Sequence, residues 1–487
     1  MSLKSEASKG VLWVAIERFG QQVLQVVIFI ILARLLTPED FGLVAMLMIF
    51  FAISQSFIDS GMGQALIREK EITDQDRSTV FWFNLLLSVG FYGLLYVSAP
   101  WIAEFYERPE LIDLTRVMGL AVIFFGVAIV QRSEMTQQLE FKKQAYAQVP
   151  AVFIAGVVSI SMAYLDFGVW SLVAQYLLVA ACSSIALWIL QPANIRFHFD
   201  KESFSRLFGF GYKLLLSGLL NTTYQHVYKL VIGKFFAAST LGFYTQAKKM
   251  QELVSKNLIG IIQKVTYPLL SKAGEDPVRL KRGYRQVIQS SSFVIFPGML
   301  LLLLFAEPLM LYVLGEQWAD AAPFLQILCV SGILYHLHVV NLNILKVLGR
   351  SDLFLKLEII KKTNTTLAIL VGLQFGIYGL LIGQVISSYA ALFINTWYTA
   401  KFLNYTIIEQ VGDVMKVFLL SIPMIALIGI IIFFIPVHSL LILLGYLLLA
   451  GLIYIGSNLL YRTEIVKIVL KMIAPFLSNK IKNILNL

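Results

Sequence analysis

The sequence predicts an all-α integral membrane protein of about 14 transmembrane helices, with two parallel six-helix bundles around a central cavity and an extra C-terminal helix pair. Three observations predict it. The 487 residues are 58% hydrophobic and 14% charged, with a mean hydropathy of +0.77. Apolar stretches of about 20 residues, the length that crosses about 30 Å of hydrocarbon, recur along the whole chain. A stretch near the start reappears about 200 residues later, the mark of an internal repeat.

The elements follow in order. The first span, 11–36, is too long for a cleavable signal peptide and is interrupted by Glu17 and Arg18. Spans at 40–62, 78–100, 115–132, 148–165 and 169–191 complete an N-terminal bundle over 1–191. Pro192 stops the sixth, and Asp200 can cap a short amphipathic helix carrying Phe204, Leu207 and Phe208, so 192–210 reads as a cytoplasmic interfacial linker. The second bundle, 211–400, holds 211–236, 241–270, 286–315, 321–348, 356–375 and 377–399. Spans 414–435 and 439–460 make the extra pair within 401–462. Beyond them, 463–487 reads as a cytoplasmic amphipathic tail, since Ile465, Ile468, Val469 and Met472 alternate with Lys467 and Lys471 before Pro475. Pro150, Pro297 and Pro423 are candidate kinks.

Loop charges set the expected orientation. Arg68, Lys70 and Arg77; Lys142 and Lys143; Arg196, Lys201 and Arg206; and the run from Lys272 to Arg285 all fall on one side. The positive-inside rule makes that side cytoplasmic, with both termini inside. The net charge of +10 then reflects topology and anionic lipid headgroups, with no call for nucleic acid. Cys182 and Cys329 lie in expected helices at no metal-type spacing, and neither a metal nor a cofactor is expected.

The repeat is carried by polar and small residues. Ala33-Arg34-Leu35-Leu36 with Phe41-Gly42 falls on Gly233-Lys234-Phe235-Phe236 with Leu241-Gly242. The same register places Gln21, Gln22 and Gln25 on Asn221, Thr222 and Gln225. Six crossings are an even number, so the second half enters the membrane in the orientation of the first, and a path between the halves is expected.

Charges inside spans point to that path. A charge at a helix centre costs about 2.5–3.5 kcal/mol on insertion scales, so several kept together ask for a function. At 100° per residue Arg18, Gln22 and Gln25 share one face of the first helix, with Gln21 beside it. On the seventh helix Thr222, Gln225 and Lys229 follow the spacing i, i+3, i+7, and on the eighth Lys249, Glu252 and Lys256 repeat it. A water-filled cavity of net positive charge would suit an anionic phosphate or pyrophosphate. Glu252 is the candidate for a coupling proton or sodium ion, although two flanking lysines oppose its protonation. The competing explanation is structural: Glu252 pairs with a lysine, and the amides tie helices together. His336 and His338, two apart, do not share a face, which favours packing over a metal site.

The runs Ala33-Arg34-Leu35-Leu36-Thr37-Pro38-Glu39-Asp40-Phe41-Gly42 and Asp59-Ser60-Gly61-Met62-Gly63-Gln64-Ala65-Leu66-Ile67 resemble the opening of bacterial polysaccharide exporters of the Wzx type. Leu241 to Ala247 and Tyr267 to Lys272 look like the matching second-half signature. The resemblance covers about the first 400 residues. It implies the superfamily that also holds multidrug and toxin extrusion transporters and the peptidoglycan-precursor flippase. It further implies a transporter, not an enzyme, that flips undecaprenyl-pyrophosphate-linked oligosaccharide to the periplasmic leaflet, for lipopolysaccharide, capsule or exopolysaccharide. Cationic cavity residues are the theme of such carriers, which supports Arg18, Lys229, Lys249 and Lys256 as substrate-binding positions. Polysaccharide-synthesis proteins are possible partners.

Two alternatives are distinguishable. A multidrug or organic-cation antiporter of the same fold would favour an acidic, aromatic cavity. A polytopic polysaccharide-synthesis enzyme would need a catalytic constellation on a sizeable loop, and the sequence offers neither paired carboxylates nor a nucleotide-binding loop.

Overall fold

A computed structural model describes residues 20–59, 61–69, 71–273, 276–348 and 350–460; Arg18 and the expected tail 463–487 lie outside the described residues. Every regular element among these is a helix. Among the described residues nine helical stretches are long and apolar enough to cross a membrane, or ten if one bent pair counts as a span, and the protein is a multi-pass membrane protein. The expected spans 211–236, 241–270 and 356–375 fall in long helices outside that set. All three carry charged residues that lower their hydropathy, among them Lys229 in the first, Lys249, Glu252 and Lys256 in the second, and Glu358, Lys361 and Lys362 in the third.

By contacts the chain divides into two compact units, Met1–Thr245 and Gln246–Leu487. In the first, α1 is Gly20–Leu35, α2 Pro38–Asp59, α3 Met62–Arg68, α4 Asp74–Tyr106, α5 Leu111–Val127, α6 Ile129–Gln137, α7 Phe141–Tyr164, α8 Val169–Leu190 and α9 Lys201–Phe235. Helix α10, Ala238–Ala273, begins in the first unit and continues into the second. Ile28 and Leu32 of α1 bury against Val152 and Ala163 of α7 and Leu172 of α8. Met62 and Leu66 of α3 close a second core with Val80, Val130 and Leu207.

Asp200 does cap a helix, accepting the amide of Ser203 at 2.7 Å. That helix is α9, which runs 35 residues without a break instead of ending as a short interfacial one. Gly209 and Gly211 lie in its first third, and a glycine costs only about 1 kcal/mol in a helix interior.

The pairing of α2 with α9 is antiparallel and close at both ends. A Cβ added at Gly61, whose φ is +70°, would lie 2.4 Å from the Gly211 carbonyl oxygen. In the last turn of α2, the Ser56 hydroxyl meets that of Thr222 at 3.1 Å. At the other end the two corners matched in the sequence repeat touch reciprocally. A Cβ at Gly42 would sit 1.8 Å from the Ala238 carbonyl oxygen, and one at Gly242 would sit 2.0 Å from that of Pro38. The end of α4 braces the same corners: Arg108 pairs with Glu39 at 2.8 Å and Lys234 with Glu107 at 2.9 Å. The Lys234 hydrogen bond holds the Glu107 carboxyl below the ordinary carboxylate range.

At the opposite end, Thr73 and Asp76 form a capping box that starts α4. Arg77 pairs with Glu134 of α6 and with Asp74, and Arg206 of α9 pairs with Asp76. Glu134 and Asp76 are almost fully buried. Removing one partner strands a buried charge, which costs about 3–5 kcal/mol. We expect Arg77→Ala to lower the thermal unfolding midpoint and the yield of monodisperse protein, with Arg77→Ala/Glu134→Ala less damaging than the single change.

The second unit contains α11 Pro277–Leu304, α12 Ala306–Leu309, a π-turn Met310–Leu314, a 3₁₀ turn Glu316–Ala321, α13 Ala322–Gly332, α14 Tyr335–Val347, α15 Ser351–Leu373, α16 Gly376–Leu403, α17 Ile407–Leu419, α18 Ile422–Phe434 and α19 Leu440–Leu460. Gly315, at φ +117°, makes the corner between the two turns. Met424 and Ile428 of α18 and Leu443, Ala450 and Tyr454 of α19 bury with Phe305, so the last pair of helices packs on the end of α11. Pro150 and Pro297 lie inside α7 and α11. Pro423 instead sits in the first turn of α18, where its missing N–H breaks no helical hydrogen bond. Pro100, inside α4, went unanticipated.

Candidate functional site

Apart from Arg18, which lies outside the described residues, the expected substrate-contacting residues sit on α1, α9 and α10. Gln22 is half-buried and Gln25 exposed on α1. On α9, Thr222 is half-buried against Ser56, Gln225 is exposed and Lys229 half-buried. Lys249 is exposed on α10. The structure joins two of the set directly: Lys256 Nζ lies 2.8 Å from Glu252 Oε1, one helical turn away, with the lysine about half exposed. An ion pair of this kind is worth less than about 1 kcal/mol, so it leaves Lys256 able to exchange its partner for another anion.

Exposure of Gln25 and Gln225 has a direct check. With Cys182 and Cys329 replaced by alanine, a cysteine placed at either position is expected to react with a water-soluble thiol reagent. Reaction as slow as at a lipid-facing control such as Leu86 would remove both from a wet surface.

The first unit also holds a polar cleft that the sequence reading missed. Gln21 of α1, Phe125 of α5, Arg132 of α6, Gln144 and Gln148 of α7 and Leu187 of α8 line a space of about 370 Å³. A bend of 41° at Ala128, between α5 and α6, gives Arg132 a direction that a straight helix would not. Gln21 Nε2 donates to Gln148 Oε1 at 3.4 Å across the cleft. Gln144 Nε2 donates to Thr136 Oγ1 at 2.8 Å, which fixes α7 against α6. Arg132 also acts electrostatically on Asp59. The sequence expectation treated Arg132 as the end of a span and began the next at Gln148. The i, i+4 pair Gln144 and Gln148, just ahead of an apolar run, was the available signal. A second space, of about 380 Å³ on the same α5–α8 pair, is lined by Ile123, Phe124, Val127 and Trp188 among others and is apolar.

In the second unit the two histidines point apart. His336 Nε2 lies 2.7 Å from Ser292 Oγ of α11, and His338 lies 3.1 Å from both Ser388 Oγ and Asn395 Nδ2 of α16. Tyr284 and Thr399 both donate to Asn341 Oδ1, at 2.6 and 2.7 Å. These bonds stitch α11, α14 and α16 together in an apolar medium. Among the described residues no three His, Cys, Asp or Glu side chains gather to hold a metal ion.

Comparison with known proteins agrees with this architecture. Residues 31–323 match the family described as polysaccharide biosynthesis protein. The teichuronic acid biosynthesis protein TuaB of Bacillus subtilis (strain 168) is 28% identical over 355 residues, 72% of this chain and 73% of its own length. The lipopolysaccharide biosynthesis protein WzxC of Escherichia coli (strain K12) is 24% identical over 401 residues, 81% of this chain and 82% of its own. Among solved structures, the lipid II flippase MurJ in an inward closed conformation superposes with a TM-score of 0.75 at 14% identity, covering 93% of this chain and 99% of MurJ. An inward-facing MATE-family multidrug transporter gives 0.62 at 15% identity, over 81% of this chain and 98% of its own. With more than half of its length matched, this multi-pass membrane protein belongs to the polysaccharide biosynthesis protein family.

Proposed function

We propose that this protein flips undecaprenyl-pyrophosphate-linked oligosaccharide from the cytoplasmic to the periplasmic leaflet of the inner membrane by alternating access. In this reading 14 spans form two bundles around a central path, with both termini in the cytoplasm. The observation that carries it is the placement of Lys229, Lys249 and Lys256 on α9 and α10, helices of 35 and 36 residues. A diphosphate headgroup cannot enter hydrocarbon without losing its hydration. Lysine and amide side chains on long helices replace that hydration, while the polyprenyl tail stays in lipid. Relatives named for teichuronic acid biosynthesis and lipopolysaccharide biosynthesis, and the fold shared with a lipid II flippase, support the same reading. A cation exporter of the same fold would call for acidic groups, and Glu252 is the one acid among the candidates.

The test is where lipid-linked oligosaccharide resides in cells with the gene deleted and then restored, read by a periplasmic probe that cannot cross the inner membrane. Precursor trapped on the cytoplasmic leaflet and released on restoration is the expected result. Precursor that reaches the periplasm without the protein, yet stays unpolymerised, would instead favour a synthesis enzyme.

A further inference from the structure

We propose that the polar cleft of the first unit is a binding site for the sugar-phosphate portion of a ligand. Arg132 takes the anionic oxygens, and Gln21, Gln144 and Gln148 take the sugar hydroxyls. This rests on the flippase reading and assigns that cargo a contact outside the α9 and α10 lysines.

The chemistry of the lining carries the inference. A guanidinium offers a rigid fork of N–H donors matched to phosphate oxygens. Each of the three carboxamides has both a donor and an acceptor end, the combination that a hydroxyl answers on both sides. Phe125 and Leu187 close the remaining wall with apolar surface suited to the C–H face of a sugar ring. The space, about 370 Å³, is within the range of about 300–1,000 Å³ typical of small-molecule sites. The frame is fixed before any ligand arrives. The Arg132 carbonyl accepts from Thr136 Oγ1 at 2.8 Å and from Gln144 Nε2 at 3.4 Å, tying α6 to α7. The Arg132 side chain is exposed at the cleft, where a ligand can reach it.

The experiment uses the full chain in phosphatidylcholine nanodiscs with inorganic pyrophosphate as the probe. Arg132→Gln is expected to weaken pyrophosphate binding at least tenfold, and Arg132→Lys to weaken it less. Each variant is first checked for wild-type elution and melting; if Arg132→Gln fails that check, Arg132→Met, which keeps the aliphatic length without the charge, takes its place with the same expectation. Equal affinity in wild type and the variant overturns the proposal. So does loss of Arg132-dependent binding when phosphatidylglycerol is added to the disc, which would mark the cleft as a phospholipid headgroup site. In cells, Arg132→Gln is expected to cut export at least tenfold. Precursor trapped by deletion but exported normally by Arg132→Gln would overturn the cleft and spare the flippase reading. Arg132-dependent pyrophosphate binding in a protein whose deletion leaves precursor location unchanged would do the reverse, overturning the cargo assignment while the anion site stands.

Discussion

Lys249→Ala/Lys256→Ala is expected to reduce surface polysaccharide at least tenfold while the protein remains in the membrane at its usual level. A hydrogen bond to a charged group is worth about 1.5–3 kcal/mol, and every 1.4 kcal/mol is a tenfold change, so losing even one such contact reaches that threshold. The fold should tolerate the change. Both side chains are exposed, and the ion pair of Lys256 with Glu252 contributes less than about 1 kcal/mol. Glu252→Gln separates two roles for this cluster. If the glutamate only holds Lys256, its loss leaves export intact or improves it; if it binds a coupling ion, export falls while the double-lysine effect persists. Surface polysaccharide unchanged in Lys249→Ala/Lys256→Ala would remove the cationic mechanism altogether.

Gly42→Val and Gly242→Val are each expected to destabilise the protein by about 3 kcal/mol or more, the upper end of what overpacking costs. The added carbon would stand 1.8 Å from the Ala238 carbonyl oxygen in the first case and 2.0 Å from that of Pro38 in the second. Both obstacles are backbone, so no side-chain rotation relieves them, and alanine should already be damaging. Gly90→Ala provides the contrast. Nothing lies within 4 Å of a Cβ there, and replacing a helix-interior glycine should stabilise by up to about 1 kcal/mol. Thermal unfolding in detergent and the yield of monodisperse protein read both signs. A Gly42→Val protein as stable as wild type would mean that these corners are not held against each other.

Much of this protein is legible locally. Composition and apolar runs give the membrane class, because transfer from water to hydrocarbon is a property of each segment by itself. Asp200 and the turn glycine Gly61 are readable for a related reason, since helix caps and left-handed corners depend on one or two residues. The register between Gly42 and Gly242 is legible too, because small residues at a fixed shift of about 200 stand out among interchangeable leucines. The lysines on α9 and α10 announce themselves by cost. Their partners do not: Lys256 has two plausible ones in sequence, Glu252 and the cargo, and sequence alone offers no way to choose.

The polar cleft belongs to the other category. Arg132, Gln144 and Gln148 flank the expected spans, where polar side chains are ordinary and cost nothing. Gln21 is one of three glutamines on its helix, and only the structure sets it 3.4 Å from Gln148. The continuity of α9 through Gly209 and Gly211 likewise follows from its contact with α2, which a local propensity cannot see. By itself, then, the sequence determined the membrane class, the run of apolar helices, the Asp200 cap and the register of Gly42 with Gly242, all of them set by local hydration, backbone freedom or repetition. The tertiary structure alone decided which faces meet: Arg132 with three glutamines, Arg77 with Glu134, Gly42 against Ala238. Helices in lipid are apolar on every side, so packing and a few hydrogen bonds, not hydropathy, choose the face each one buries.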